Sequence, residues 1–87
     1  MFQVIVFRRA EGALKRMPER YRRRVLGLLL TFRENPVPAE NYDIKKLKGF
    51  VDTYRARIGD IRVIYEIAWR SKRVHVLLIE WRERAYQ

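Results

Sequence analysis

Six residues of this 87-residue chain have the chemistry to act on a phosphate: Arg55, Arg57 and Arg62 in one run, and Arg82, Arg84 and Tyr86 near the end. A guanidinium fork binds phosphate oxygens bidentately and keeps its charge at any ordinary pH. Arginines gathered around a phosphodiester could stabilise the extra negative charge of a pentavalent transition state, an electrostatic role that often supplies the largest catalytic term. They could also do no more than grip a nucleic-acid backbone. Tyr86 could stack on a base, a contact worth ~1–3 kcal/mol in single-stranded complexes, or pack on a sheet edge.

Other chemistries lack their residues. With His75 as the single histidine and no cysteine, neither a Ser-His-Asp site, a two-histidine nuclease site, a disulfide nor a thiolate metal site can be built. His75 reads as structural or exposed. Glu66, Glu80 and Glu83 show no metal-ligand spacing, and several carboxylates are expected to pair with neighbouring arginines. No glycine-rich phosphate loop is present. No metal and no cofactor are therefore expected.

The elements that must position the arginines are legible in the apolar pattern. Tyr54, Ala56 and Ile58 alternate with Arg55 and Arg57; after Gly59-Asp60, Ile61, Val63 and Tyr65 alternate with Arg62, Ile64 and Glu66. Two period-2 runs separated by two turn residues make a hairpin. With Gly59 and Asp60 as the loop, Ile58 faces Ile61, Arg57 faces Arg62, Ala56 faces Val63 and Arg55 faces Ile64, so the three arginines share a face. Like charges directly opposite destabilise a sheet by something like the ~0.2–1 kcal/mol a cross-strand pair is worth. Either a bound polyanion compensates or the side chains splay apart into water.

Around this hairpin the pattern predicts a strand at residues 2–7, a short helix from about Ala10 to Met17, and a second helix from Pro18 to near Glu34 with Tyr21, Val25, Leu28, Leu29 and Phe32 on one stripe. Asn35-Pro36-Val37-Pro38 ends it, and an extended loop runs to about Asp43. Residues 44–49 lead into the hairpin, Val74 to Ile79 form the last strand, and Trp81 to Gln87 a short polar tail. The expected architecture is a single α+β domain over residues 1–87: an N-terminal strand, a helical hairpin, then an antiparallel three-strand meander with the helices packed on one sheet face. Ile61, Val63, Tyr65, Val74, Val76 and Leu78 are expected to face the helices, and Arg62, Ile64, Leu77 and Ile79 the other side.

Twenty Lys and Arg against ten Asp and Glu give a net charge of +10, spread along a chain whose residues are 48% hydrophobic. A folded basic domain of this kind expects nucleic acid or an acidic protein as partner. Arg20, Arg22, Arg23 and Arg24 read as a solvated helix face, the alternative being a contact with nucleic acid away from the reacting centre. With no signal-peptide pattern at the start and no apolar stretch near the roughly 20 residues a bilayer requires, a soluble cytoplasmic protein without membrane contact is expected.

The strand and helical hairpin, followed by Lys46-Leu47-Lys48-Gly49, the run from Tyr54 to Tyr65, and Trp81-Arg82-Glu83-Arg84-Ala85-Tyr86, resemble a RelE toxin of the RelE/ParE superfamily, in its arginine-rich, archaeal-like branch. The resemblance covers nearly the whole chain. It implies a toxin of a type II toxin-antitoxin pair that enters the ribosomal A site and cuts mRNA, the ribose 2′-hydroxyl attacking the adjacent phosphate to leave a cyclic phosphate and a 5′-hydroxyl. By position it assigns catalytic roles to Arg57, Arg62, Arg82 and Tyr86, and nucleic-acid contacts to Arg55, Lys46, Lys48 and Arg84. Arg57 stands where well-studied members carry a lysine acting as general base. An arginine does not readily give up its proton, so the implied role here is alignment of the hydroxyl, with activation by the ribosome or a neighbouring group. The implied partners are a cognate antitoxin, mRNA and the ribosome. Two competing readings are a ParE-like inhibitor of DNA gyrase that acts by protein contact, which a shared fold does not exclude, and a basic RNA-binding domain that does not cut.

Overall fold

The apolar stripes and punctuation of the sequence become seven elements in a computed structural model that describes residues 1–82: β1 (Gln3–Val6), α1 (Arg8–Arg16), α2 (Glu19–Glu34), β2 (Asp43–Lys46), β3 (Thr53–Ile58), β4 (Ile61–Ala68) and β5 (Arg73–Trp81). The strands form one mixed sheet in the order β1-β5-β4-β3-β2, with β1 parallel to β5 and the other neighbours antiparallel. Pro18 is the N-cap of α2 and Asn35 its C-cap, and the Asn35 side chain accepts a hydrogen bond from the Val37 amide at 3.0 Å in the turn beyond. No helix among the described residues is long and apolar enough to cross a membrane.

The β3–β4 hairpin has the expected register: Ile58 opposite Ile61, Arg57 opposite Arg62, Ala56 opposite Val63, Arg55 opposite Ile64. Gly59 takes a positive φ of 57°, as the first loop residue of a primed hairpin turn requires.

Three local expectations need correction. The segment before the hairpin is itself a strand, β2, which pairs Asp43–Lys46 along β3 and widens the meander to four antiparallel strands. The last strand contains a bulge: Tyr65 pairs with Val76 but Ile64 with Leu78, so Leu77 is the extra residue. Beyond it the alternation flips. Ile79 becomes the core residue, 4% exposed, and Leu78 lies opposite Ile64 on the other side. The same flip keeps Trp81 inside β5, opposite Ile61, with its ring 5.5 Å from that of Tyr21; it is not part of a polar tail.

The core between helices and sheet is built from Val25, Leu28 and Phe32 of α2 against Ile61, Val63, Tyr65, Val74 and Val76. Tyr65 is its largest member. Its ring lies 4.2 Å from Phe32 and 5.7 Å from Tyr54, and its hydroxyl donates to the Pro36 carbonyl at 2.8 Å. Burial, with Tyr54 adding to it, pushes the Tyr65 phenol well above the usual range.

Candidate active site

Whether the arginines converge depends on which of them the core leaves free. On α2 the run splits into different jobs. Arg22 turns back, its guanidinium donating to the Met17 carbonyl at 2.8 Å where α1 ends, and so satisfies an orphan acceptor. Arg23 pairs with Glu19 at 3.0 Å in solvent. Arg20 lies over the Tyr21 ring, 4.9 Å from its centroid. Arg24 does none of these. Both of its terminal nitrogens stand 3.9 Å from where a Cβ of residue 59 would be, so its guanidinium rests against the hairpin turn.

Three clefts surround that turn. One, of about 430 Å³, lies between Arg57 and Arg24 with Tyr42 and Asp43 in its wall. A second, about 420 Å³, sits between the start of α2 and the end of β5, lined among others by Arg20, Tyr21, Arg24, Asp60, Trp81 and Arg82. The third, about 540 Å³, brings Arg62 and Arg82 together with Arg9 and Arg16 of α1. Glu80, opposite Arg62 on β5, holds its guanidinium at 3.1 Å; both side chains are about half exposed, so the pair orients more than it stabilises.

Arg57, Arg62 and Arg82 are thus gathered around one hairpin tip, all exposed. Arg55 is not with them. It forms an ion pair with Asp43 at 2.9 Å, its side chain is only 14% exposed, and its Nε is buried without a hydrogen-bond partner. It ties edge strand β2 to β3. Lys46 and Lys48 are exposed but lie toward the other end of β3; Lys46 pairs with Tyr54, four residues and roughly 13 Å from Ile58 at strand rise. Arg84 and Tyr86 lie outside the described residues. His75 faces Glu66, with Nδ1 3.4 Å from Oε1 and its ring 5.4 Å from Phe7, four residues along β4 from Arg62.

Sequence reasoning missed Arg9 and Arg16, and it read Arg24 only as part of a solvated face or of a nucleic-acid contact away from the reacting centre. The i,i+4 spacing of Arg20 and Arg24 beside the aromatic Tyr21 was the available signal; their proximity to the hairpin turn was not, because it is set by how α2 crosses the sheet.

The chain and its fold have counterparts among known proteins. Residues 4–86 match the family model described as the ParE toxin of the type II toxin-antitoxin system, parDE. Over 86 residues the chain is 37% identical to the candidate toxin RelE1 of Methanocaldococcus jannaschii, an alignment covering 99% of this chain and 96% of that protein. The chain belongs to the RelE/ParE toxins. Within them it is of the RelE type. The toxin superposes on the RelE–RelB complex of Pyrococcus horikoshii with a TM-score of 0.84 at 37% identity, covering 97% of this chain and 98% of that one. The intact Escherichia coli RelBE complex shares the fold, with a TM-score of 0.78 at 21% identity over 97% of this chain and 100% of that one.

Proposed function

We propose that this toxin is a ribosome-dependent endoribonuclease that cuts mRNA in the A site and so stops translation. The observation that carries this reading is the convergence of Arg57, Arg62 and Arg82 on one hairpin tip, where the strand register sets two like charges directly against each other. A surface that acted by protein contact alone has no use for such a trio, and local rules tend to be broken at functional sites.

The 2′-oxygen of a ribose attacks the adjacent phosphorus as the bond from phosphorus to the 5′-oxygen breaks, leaving a cyclic phosphate and a 5′-hydroxyl. No water enters that step. Arg62, held by Glu80, and Arg82 across the same cleft take up the charge of the pentavalent intermediate. Arg57 aligns the hydroxyl, whose proton leaves to a ribosomal or neighbouring group because a guanidinium does not accept it. Arg82 also supports the departing 5′-oxygen electrostatically while that oxygen takes its proton from solvent or a ribosomal group, and Tyr86 completes the assignment as a stacking residue. Arg55, Lys46, Lys48 and Arg84 contribute positive charge to the surface that meets the RNA. The protein works in the cytoplasm.

The partner that silences it is a cognate antitoxin. The family is defined by such pairs, and the solved relatives from P. horikoshii and E. coli are complexes with RelB. The net charge of +10 favours an acidic segment covering the arginine face or displacing the C-terminal tail.

Primer extension on mRNA from a translation reaction, beside ribosome-free RNA, tests the reading. Cuts are expected only at ribosome-engaged codons, and Arg82→Ala is expected to lower the rate about 10²–10³-fold, as the loss of one charge-stabilising donor does. Intact mRNA together with inhibited gyrase supercoiling would instead make this a ParE-like inhibitor, and salt-sensitive binding without cuts a plain RNA-binding domain.

A further inference from the structure

The three clefts around the hairpin tip are contiguous through shared side chains. Arg24 lines both the Arg57 cleft and the central one, and Arg82 lines both the central cleft and the Arg62 one. The outer two hold the arginines assigned to the reaction. The central cleft shares Arg82 with the reaction, but its aromatic wall and Arg24 have no part in it so far.

Its volume, about 420 Å³, falls within the ~300–1,000 Å³ of small-ligand sites. One wall is aromatic: the Tyr21 and Trp81 rings lie 5.5 Å apart at 42°, and Trp81 is only partly buried. The bulge at Leu77 puts Trp81 there by flipping the last residues of β5. At the two crossings into the neighbouring clefts stand Arg24 and Arg82, with Arg20 over Tyr21. Among the described residues Asp60 is the carboxylate in this lining, where three guanidinium groups outnumber one acid. An aromatic wall between two phosphate-binding side chains matches what single-stranded nucleic acids are bound by, a π face for a base and charge for the backbone on either side.

We infer that the central cleft binds one nucleotide of single-stranded RNA, its base against Trp81 and Tyr21 and its flanking phosphates on Arg24 and Arg82. This rests on the reading of the toxin as an RNA-cutting enzyme and adds a subsite next to the reacting phosphate. Arg24 is the positioning residue that carries the strand past the hairpin tip.

Crosslinking on the ribosome tests it. The mRNA carries 4-thiouridine at one position at a time and 2′-O-methyl riboses through the A-site codon, so that nothing is cut. Irradiation with the full-length toxin is expected to link a nucleotide beside the reacting phosphate to Trp81 or to the peptide holding Tyr21 and Arg24. Arg24→Ala is expected to lower that yield about tenfold with little change in thermal unfolding, and Arg24→Lys to restore part of it. Crosslinks confined to α1 and the Arg62 cleft, absent altogether, or undiminished in Arg24→Ala would overturn the subsite. A parallel reaction with unmodified mRNA separates the two readings. Cutting without these crosslinks removes the subsite alone, whereas the crosslinks without cutting leave the subsite and remove the nuclease.

Discussion

The two ends of the β3–β4 hairpin are built on opposite terms. Where Tyr54 faces Tyr65, the strands carry a fully buried phenol packed on Phe32 and hydrogen-bonded to the Pro36 carbonyl. Three residues away, where Arg57 faces Arg62, like charges meet in solvent, ringed by further arginines from both helices. The aromatic end can anchor the ladder without help from the tip, and the tip can then keep a pair of like charges at the expense of the sheet. Stability and action are separated along a single pair of strands.

The strongest way to break that separation is at Phe32, which is fully buried. Phe32→Ala is expected to cost about 3–5 kcal/mol, a large part of the ~5–15 kcal/mol typical of a whole domain, as read by denaturant unfolding; activity should fall only in proportion to the folded fraction. Tyr65→Phe probes the same end more gently. It strands a buried carbonyl and should cost about 1–3 kcal/mol. The raised phenol pKa adds a pH signature: the native state holds the proton more tightly than the unfolded chain, so this contribution is intact below about pH 10 and is lost as pH rises past it. Thermal melts from pH 8 to 11 should show alkaline destabilisation in the parent and a weaker one in Tyr65→Phe. At the tip the sign reverses. Arg57→Thr relieves the cross-strand repulsion and should raise stability by up to about 1 kcal/mol while mRNA cutting falls. A destabilised Arg57→Thr would show instead that the arginine is part of what holds the hairpin together.

The hairpin was readable because alternation and a Gly-Asp turn specify register by themselves, and the helical stripe of α2 was readable because its apolar period is 3.6. The bulge was not. Leu77 sits in a continuous apolar run in which an extra residue leaves no compositional trace, so Leu78 and Ile79 exchanged faces and Trp81 moved from a supposed tail into the sheet. Strand β2 escaped notice because an edge strand of Asp-Ile-Lys-Lys is charged, as edge strands tend to be. At the site, alternation put Arg55, Arg57 and Arg62 on one face and the family resemblance added Arg82, but nothing in the alternation shows Asp43, twelve residues from Arg55, holding that arginine. Arg22 and Arg24, two residues apart on one helix, read as the same solvated surface; one caps α1 and the other rests on the hairpin turn.

The parallel pairing of β1 with β5 joins Gln3 to Arg73 and Val6 to Val76, contacts 70 residues apart in the sequence. Pairings of such sequence separation form late, after the loop between them has been closed at an entropic cost. β1 therefore waits for β5, and the wall carrying Trp81 and Arg82 is completed with that same strand. One strand thus closes two things at once, the parallel edge of the sheet and the arginine collar around the hairpin tip, and neither forms before it.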